Sequence, residues 1–227
     1  MRTLIVDTAL GACTVVVSEA GRVLAGLSEP MARGHQEALA PMAARVLSNQ
    51  TVDQIAASCG PGSFTGLRVG LAFAEGLALA LGVPCRGFST LHALALEAGK
   101  AAAEGSGDWV VAAIDARRGQ VYAQALNGGR AIHAPVVCPP EEVARNLIPD
   151  HALRLFIVGT GASLIEASLS SRQRDILCRV RDVPAPGQEA LARLVNDPQA
   201  LSDAAPLYLR GADAKPPTSP GLGLSHG

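Results

Sequence analysis

Residues Cys59–Gly70 read CGPGSFTGLRVG, four glycines set around a serine and a threonine just ahead of a long apolar run. A loop of this kind can cradle a phosphate, expose a nucleophilic serine, or simply turn the chain. A phosphate loop of the GxxxxGK[ST] type does not fit, because Gly62 and Gly66 stand too close and Leu67-Arg68 replaces the lysine and hydroxyl. The dinucleotide fingerprint GxGxxG fails by one residue, since the glycines fall at Gly60, Gly62 and Gly66. A nucleophile elbow needs glycines two residues either side of Ser63, where Pro61 and Thr65 stand instead. Two readings stay open. Ser63 or Thr65 caps the helix that follows, worth about 1 kcal/mol, or the free N–H groups of that helix start meet an anion.

The helix behind the loop is expected over Phe64–Leu81. Gly62, Gly66, Gly70, Ala74 and Ala78 recur every four residues, so one stripe carries almost no side chain. Each glycine inside a helix costs about 1 kcal/mol against alanine, which makes sense where another backbone must approach closely. That backbone belongs either to the protein's own sheet or to a second protein. In the second case the docking surface includes the stripe Leu39, Met42, Ala43, Val46 and Leu47 of the preceding helix, within which Pro41 marks a kink or a first turn.

Working outward, Thr3–Thr8, Cys13–Glu19 and Arg22–Leu27 read as an antiparallel meander turning at Gly11 and Gly21. Strands at Ile55–Cys59 and Val83–Phe88 flank the glycine helix, and a helix capped by Ser89 or Thr90 follows. After a polar break at Glu104–Asp108 the pattern returns, with Asp115 answering Asp7 and Gly128-Gly129 answering Gly21. Further helices are expected from Pro140, from Ser163 and over Gln188–Val195, with a strand in RLFIVGTGA between the first two. Strand meanders alternating with helices, twice over, give an α/β chain of two similar lobes. The expected boundaries are 1–103 and 104–210, and the Pro/Gly-rich stretch 211–227 reads as a disordered tail.

At 227 residues, with 48% hydrophobic and 17% charged, the chain has the material for a real core. A formal net charge of −1 and no concentrated basic run argue against tight unaided binding to nucleic acid. Five scattered cysteines without a CxxC pair suit reduced thiols in the cytoplasm. The start MRTLIVDTAL lacks signal-peptide architecture. Val69–Cys85, interrupted by Glu75, falls short of the roughly 20 residues that span a bilayer, so no membrane is expected.

Six segments together resemble the bacterial TsaB family: VDT at Val6–Thr8, GHQEAL at Gly34–Leu39, GPGSFTGLRVGLAFAEGLA at Gly60–Ala78, GFSTL at Gly87–Leu91, IDARRGQVYA at Ile114–Ala123 and PLYLRG at Pro206–Gly211. The resemblance implies two duplicated ribonuclease-H-like lobes of the actin/Hsp70/hexokinase ATPase-like superfamily. It also implies a part in making threonylcarbamoyladenosine on tRNAs that read ANN codons. The chain would act there as a non-catalytic scaffold and activator of TsaD, the threonylcarbamoyl transferase, with TsaE supplying an ATPase. Contact with tRNA would come only through the complex, and a chain without its partner would self-associate as a two-fold dimer. The residues expected at the partner interface are His35, Leu39, Met42, Val46, Gly66, Gly70, Phe73, Ala74 and Leu77.

Chemistry by the chain itself finds little support. In related TsaD proteins a similar helix leads to an HxxxH metal motif, whose two histidines fall here on Thr90 and Leu94, and His92 has no mate four residues away. Neither residue is an imidazole, and catalytic metals usually need about three convergent protein ligands. The superfamily's first phosphate loop, roughly DxGx[ST], becomes Asp7-Thr8-Ala9-Leu10-Gly11, with Ala9 where a glycine belongs; the second, Asp115-Ala116-Arg117-Arg118-Gly119, adds two bulky cations. Asp7, Thr8, Ser63, Thr65 and Asp115 are the residues that would meet a nucleotide or anion. No catalytic residue, metal or cofactor is assigned to the chain, and ATP or ADP, where present, belongs at the interface of the complex. Rival readings are a metal-dependent, glycopeptidase-type peptidase, an actin-like-fold ATPase and a self-contained tRNA-binding module.

Overall fold

Val, Ile and Leu crowd the first strands because both faces of their sheet are covered. In a computed structural model describing residues 1–48, 50–102 and 107–209, β1 (Arg2–Asp7), β2 (Ala12–Glu19) and β3 (Arg22–Pro30) form the expected meander, with Leu4 opposite Val17 and Val6 opposite Val15. Leu4, Val6, Val15 and Val17 point to one face, where α1 (His35–Leu47) and α2 (Phe64–Leu81) lie. Ile5 and Val16 point to the other. Between the two helices, β4 (Gln54–Gly60) runs parallel to β1, and β5 (Cys85–Ser89) runs parallel to β4. Pro41 sits well inside α1, beyond its first turn, on the solvent side, where its missing N–H leaves the Glu37 carbonyl without a helical donor.

Ser89 caps α3 (Thr90–Ala95) by accepting the His92 N–H at 3.3 Å, and a 3₁₀ helix over Leu96–Ala102 leads away from the first sheet. The second lobe repeats the plan. β6 (Trp109–Arg117) and β7 (Gln120–Asn127) make the hairpin, and the short β8 (Arg130–Ala131) and β9 (Val136–Cys138) each pair with β7. After α4 (Pro140–Asn146), β10 (Leu155–Val158) lies parallel to β6. Then come α5 (Ala162–Ala167), α6 (Ser171–Asp175), and β11 (Leu177–Arg181), which pairs parallel to β10.

The chain then crosses back. α7 (Gln188–Val195) places Leu191, Leu194 and Val195 on the Ile5/Val16 face, and β12 (Leu201–Asp203) pairs with β5. The strand orders are β12-β5-β4-β1-β2-β3 and β11-β10-β6-β7-β8. Residues 188–203 therefore pack with the first lobe, a return that the division into 1–103 and 104–210 does not anticipate. Its cause is burial: α7, beside Ala93 of α3, covers the Ile5/Val16 face of the first sheet. The stretch read as a disordered tail, 211–227, lies outside the described residues. One described helix, Phe64–Leu81, has the length and apolarity to cross a membrane; here Gly66, Leu67, Gly70, Leu71, Ala74 and Ala78 on it are buried in the fold.

Candidate functional site: an inter-lobe cleft and an exposed helix face

Equivalent turns end the first strand of each lobe. Asp7 Oδ1 accepts the Ala9 N–H at 3.0 Å, and Asp115 Oδ1 accepts the Arg117 N–H at 2.8 Å. Such aspartate turns reverse the chain sharply. Onto each turn presses a glycine loop. In the first lobe a Cβ added at Gly62 would collide with the Ala9 carbonyl, and one at Gly66 with the Thr8 carbonyl. In the second lobe a Cβ added at Gly159 would collide with the Ala113 carbonyl, and one at Gly161 would press on the Ile114 carbonyl carbon at 3.1 Å. The sequence reading found the paired aspartates and missed this second loop. VGTG at Val158–Gly161 follows a strand just as CGPG does, which is the signal that was there.

The two turns have different fates. Asp7 is buried, and burial pushes its carboxyl above the ordinary carboxylate range, against the Ala9 N–H, the Ser58 side chain and the nearby His35. Thr8 is buried too, and its hydroxyl donates to the Gly66 carbonyl at 2.8 Å. That bond ties α2 to the end of β1. Asp115 is at the surface of the cleft, paired with Arg117 (Oδ2 to Nη1, 3.3 Å), and its N–H donates to Thr160 Oγ1 at 3.1 Å. Arg117 and Arg118 hold left-handed φ values of 64° and 55°, a conformation L side chains seldom adopt.

Between the lobes these turns line a cleft of about 640 Å³, reached by Ser63, Asp115, Arg117, Tyr122, Thr160 and Asp182. Of the five residues expected to meet a nucleotide or anion, the structure brings Ser63 and Asp115 to this cleft. Asp7 and Thr8 are sealed below it. Thr65 is exposed but outside the lining, because Ser63 is the residue that caps α2, accepting the Gly66 N–H at 3.2 Å. Tyr122, Thr160 and Asp182 were not singled out in the sequence; no spacing in the chain joins them. Across the hinge, Glu97 accepts the Gly187 N–H at 2.8 Å and pairs with Arg181 at 3.7 Å. A second groove, about 750 Å³, lies between α3, α7 and the turn before β8; there burial lowers the pKa of His92. Among the described residues no group of three or more His, Cys, Asp and Glu is placed to hold a metal.

The docking face needs correction at the level of residues. The small-residue stripe of α2 faces inward: Gly66, Gly70 and Ala74 are buried, and a Cβ on Gly70 would meet the Thr8 hydroxyl. Leu39, Met42 and Val46 of α1 belong to the same core, and His35 is 8% exposed. A helix can lie this close to its own sheet only if the stripe between them is small. Phe73 and Leu77 are half-buried, at the margin. What α2 offers outward is a different row: Ala72, Gly76, Ala80 and Leu79, the last 86% exposed, with Leu81 at 48%. On α1 the exposed residues are Gln36, Glu37, Ala40, Pro41, Ala44 and Arg45.

A family model described as "TsaD: tRNA N6-adenosine threonylcarbamoyltransferase" matches residues 28–195. A tRNA threonylcarbamoyladenosine biosynthesis protein TsaB from Haemophilus influenzae is 36% identical over 176 residues, 70% of this chain and 71% of that protein. The chain belongs to this family, and within it to TsaB. The Escherichia coli TsaB is 39% identical over 127 residues, 54% of this chain and 53% of that protein, so the match spans about half of that relative's length. Among solved structures, YeaZ from Pseudomonas aeruginosa superposes with a TM-score of 0.75 at 33% identity, over 92% of this chain and 99% of that one. A ROK hexokinase from Thermus thermophilus, at TM-score 0.50 and 13% identity over 86% of this chain and 98% of that one, shares the fold alone. The chain thus has the actin-like ATPase fold that the family resemblance implied.

Proposed function

We propose that this TsaB-family chain is a non-catalytic subunit in the formation of threonylcarbamoyladenosine on tRNA, docking on a TsaD-type transferase and activating it, with TsaE as the ATPase of the set. The observation that carries the reading is the outer face of α2. Leu79 is 86% exposed beside Ala72, Gly76 and Ala80, and a Cβ on Gly76 would touch nothing. Large exposed apolar side chains next to near-bare backbone mark a surface built to be covered. A stable contact there should bury upwards of about 1,200 Å² in total.

The cleft supports the non-catalytic half of the reading. Asp7, the carboxylate that would face a nucleotide in a phosphotransferase of this fold, is buried and accepts the Ala9 N–H, and Arg117 occupies Asp115. ATP or ADP, if held at all, would be shared with the partner at the interface. The chain would work in the cytoplasm and meet tRNA only within the complex. Reconstitution tests this. The chain and its TsaD, each purified and mixed with TsaE and substrate, should give threonylcarbamoyl transfer that neither gives alone. Turnover by the isolated chain, or a TsaD indifferent to its addition, would overturn the reading. The rival ATPase is checked by calorimetric titration with ATP and magnesium, and the rival peptidase by metal analysis together with peptide cleavage.

A further inference from the structure

At the start of the same helix stands an exposed cluster of one cation and two aromatic rings. Arg68 lies flat on Phe64, one turn earlier, with its guanidinium carbon 3.7 Å from the ring centroid. Its Nε–H donates to the Tyr208 hydroxyl at 3.1 Å, and the Phe64 and Tyr208 ring centroids are 5.6 Å apart. Tyr208 is set there by the main chain, because the Leu207 N–H donates to the Cys59 carbonyl at 2.7 Å. All three side chains are exposed, Phe64 by 55% and Tyr208 by 47%. Exposed arginines usually sample many rotamers. This one is held over the Phe64 ring and at Nε, so a partner that bonds its terminal amino groups meets little further entropic cost.

A planar guanidinium fork held in this way fits a carboxylate or phosphate through paired hydrogen bonds. The surroundings favour a protein carboxylate. Arg68, Ala72, Gly76 and Leu79 form one exposed row on α2, and Glu75 stands about 10 Å from Arg68 along the axis, two turns on. The row therefore opens with a cation, continues with near-bare backbone and passes an acid before Leu79. Exposed charges on α1 and α2 are mixed in sign, Glu37 and Glu75 against Arg45 and Arg68, which is no footprint for a nucleic acid.

We infer that Arg68, held by Phe64 and Tyr208, is the specificity anchor of the docking face, pairing with a carboxylate on the partner's facing helix while Glu75 faces a cation there. The inference rests on the subunit reading above and adds the chemistry its partner must present: an acid and a base about two turns apart, with bulky apolar side chains between them to fill the space over Ala72 and Gly76.

The test titrates the chain into its TsaD by calorimetry at low and high salt. Arg68→Met should weaken binding by about tenfold or more and flatten its salt dependence. Arg68→Lys should recover only part of the loss, because a lysine keeps the charge without the fork. Tyr208→Phe should cost less than Arg68→Met, and Glu75→Gln should add its own smaller loss. Melting of each free variant, expected unchanged for these surface positions, separates binding from folding. Wild-type affinity in Arg68→Met overturns the inference and leaves the subunit reading standing; no binding by the wild-type chain overturns both. Retained TsaD affinity with weakened tRNA binding by the complex would assign Arg68 to a phosphate and also overturn it.

Discussion

The carboxylate of Asp7 is buried, accepting the Ala9 N–H at the end of β1. Its pKa is raised mainly by burial, so folding disfavours its charged form: the group favours the fold while protonated and loses that contribution as pH rises above the ordinary carboxylate value. Asp7→Asn keeps an oxygen for the Ala9 N–H and removes the charge. It should raise Tm at pH 7, with the gain shrinking as the pH falls towards 4, in melts over that range; a lower Tm at pH 7 would mean that His35 and Ser58 compensate the charge fully. Gly70 has the opposite tolerance. Gly70→Ala drives a methyl group into the Thr8 hydroxyl, and such overpacking costs about 1–3 kcal/mol. A Tm fall of roughly 2–12 °C is expected for a chain of this size. The four-residue recurrence of small residues was plain in the sequence. Which surface they met was not, since periodicity says which residues share a stripe and nothing about what lies against it.

At the scale of the element, α2 is a helix with two small-residue rows. The inner one, Gly66 to Ala78, lets it lie on β1 and β4; the outer one, Ala72 to Ala80, lies bare. The outer row was overlooked because the inner one is richer in glycine. Gly76→Leu separates the two. It should keep or slightly raise Tm, because leucine is the better helix former by several tenths of a kcal/mol or more. Affinity for TsaD should fall by about tenfold or more, read by the same titration; unchanged affinity would move the docking face elsewhere. The meander strands, the Phe64–Leu81 helix and the Asp7/Asp115 echo were all legible, because each depends on local alternation or a short motif. Thr160, Tyr122 and Asp182 were not, since only tertiary folding gathers them at one cleft.

For the molecule as a whole, the lobes are joined twice. The chain leaves the first sheet through the 3₁₀ helix after α3 and returns through α7, and Glu97 ties that outgoing helix to the incoming segment through Arg181 and Gly187. Such a return cannot be read locally, because β12 finds β5 across more than a hundred intervening residues. A chain truncated before Gly187 should lose cooperative melting and bind a hydrophobic dye. Ile5, Val16, Ala56 and Phe88 would lose the cover of Leu191, Leu194 and Val195. A truncated chain that still melts sharply would show that α7 is dispensable.

That return also sets the timetable of synthesis. A ribosome issues β1 and β2 early, yet the helix that shields their second face emerges only after the entire other lobe. Domains usually complete themselves from the N-terminus as they are made. Here the N-terminal half must wait, half-dressed, while its sequel is translated, and in the interval an exposed valine-rich sheet is a natural client for holding chaperones.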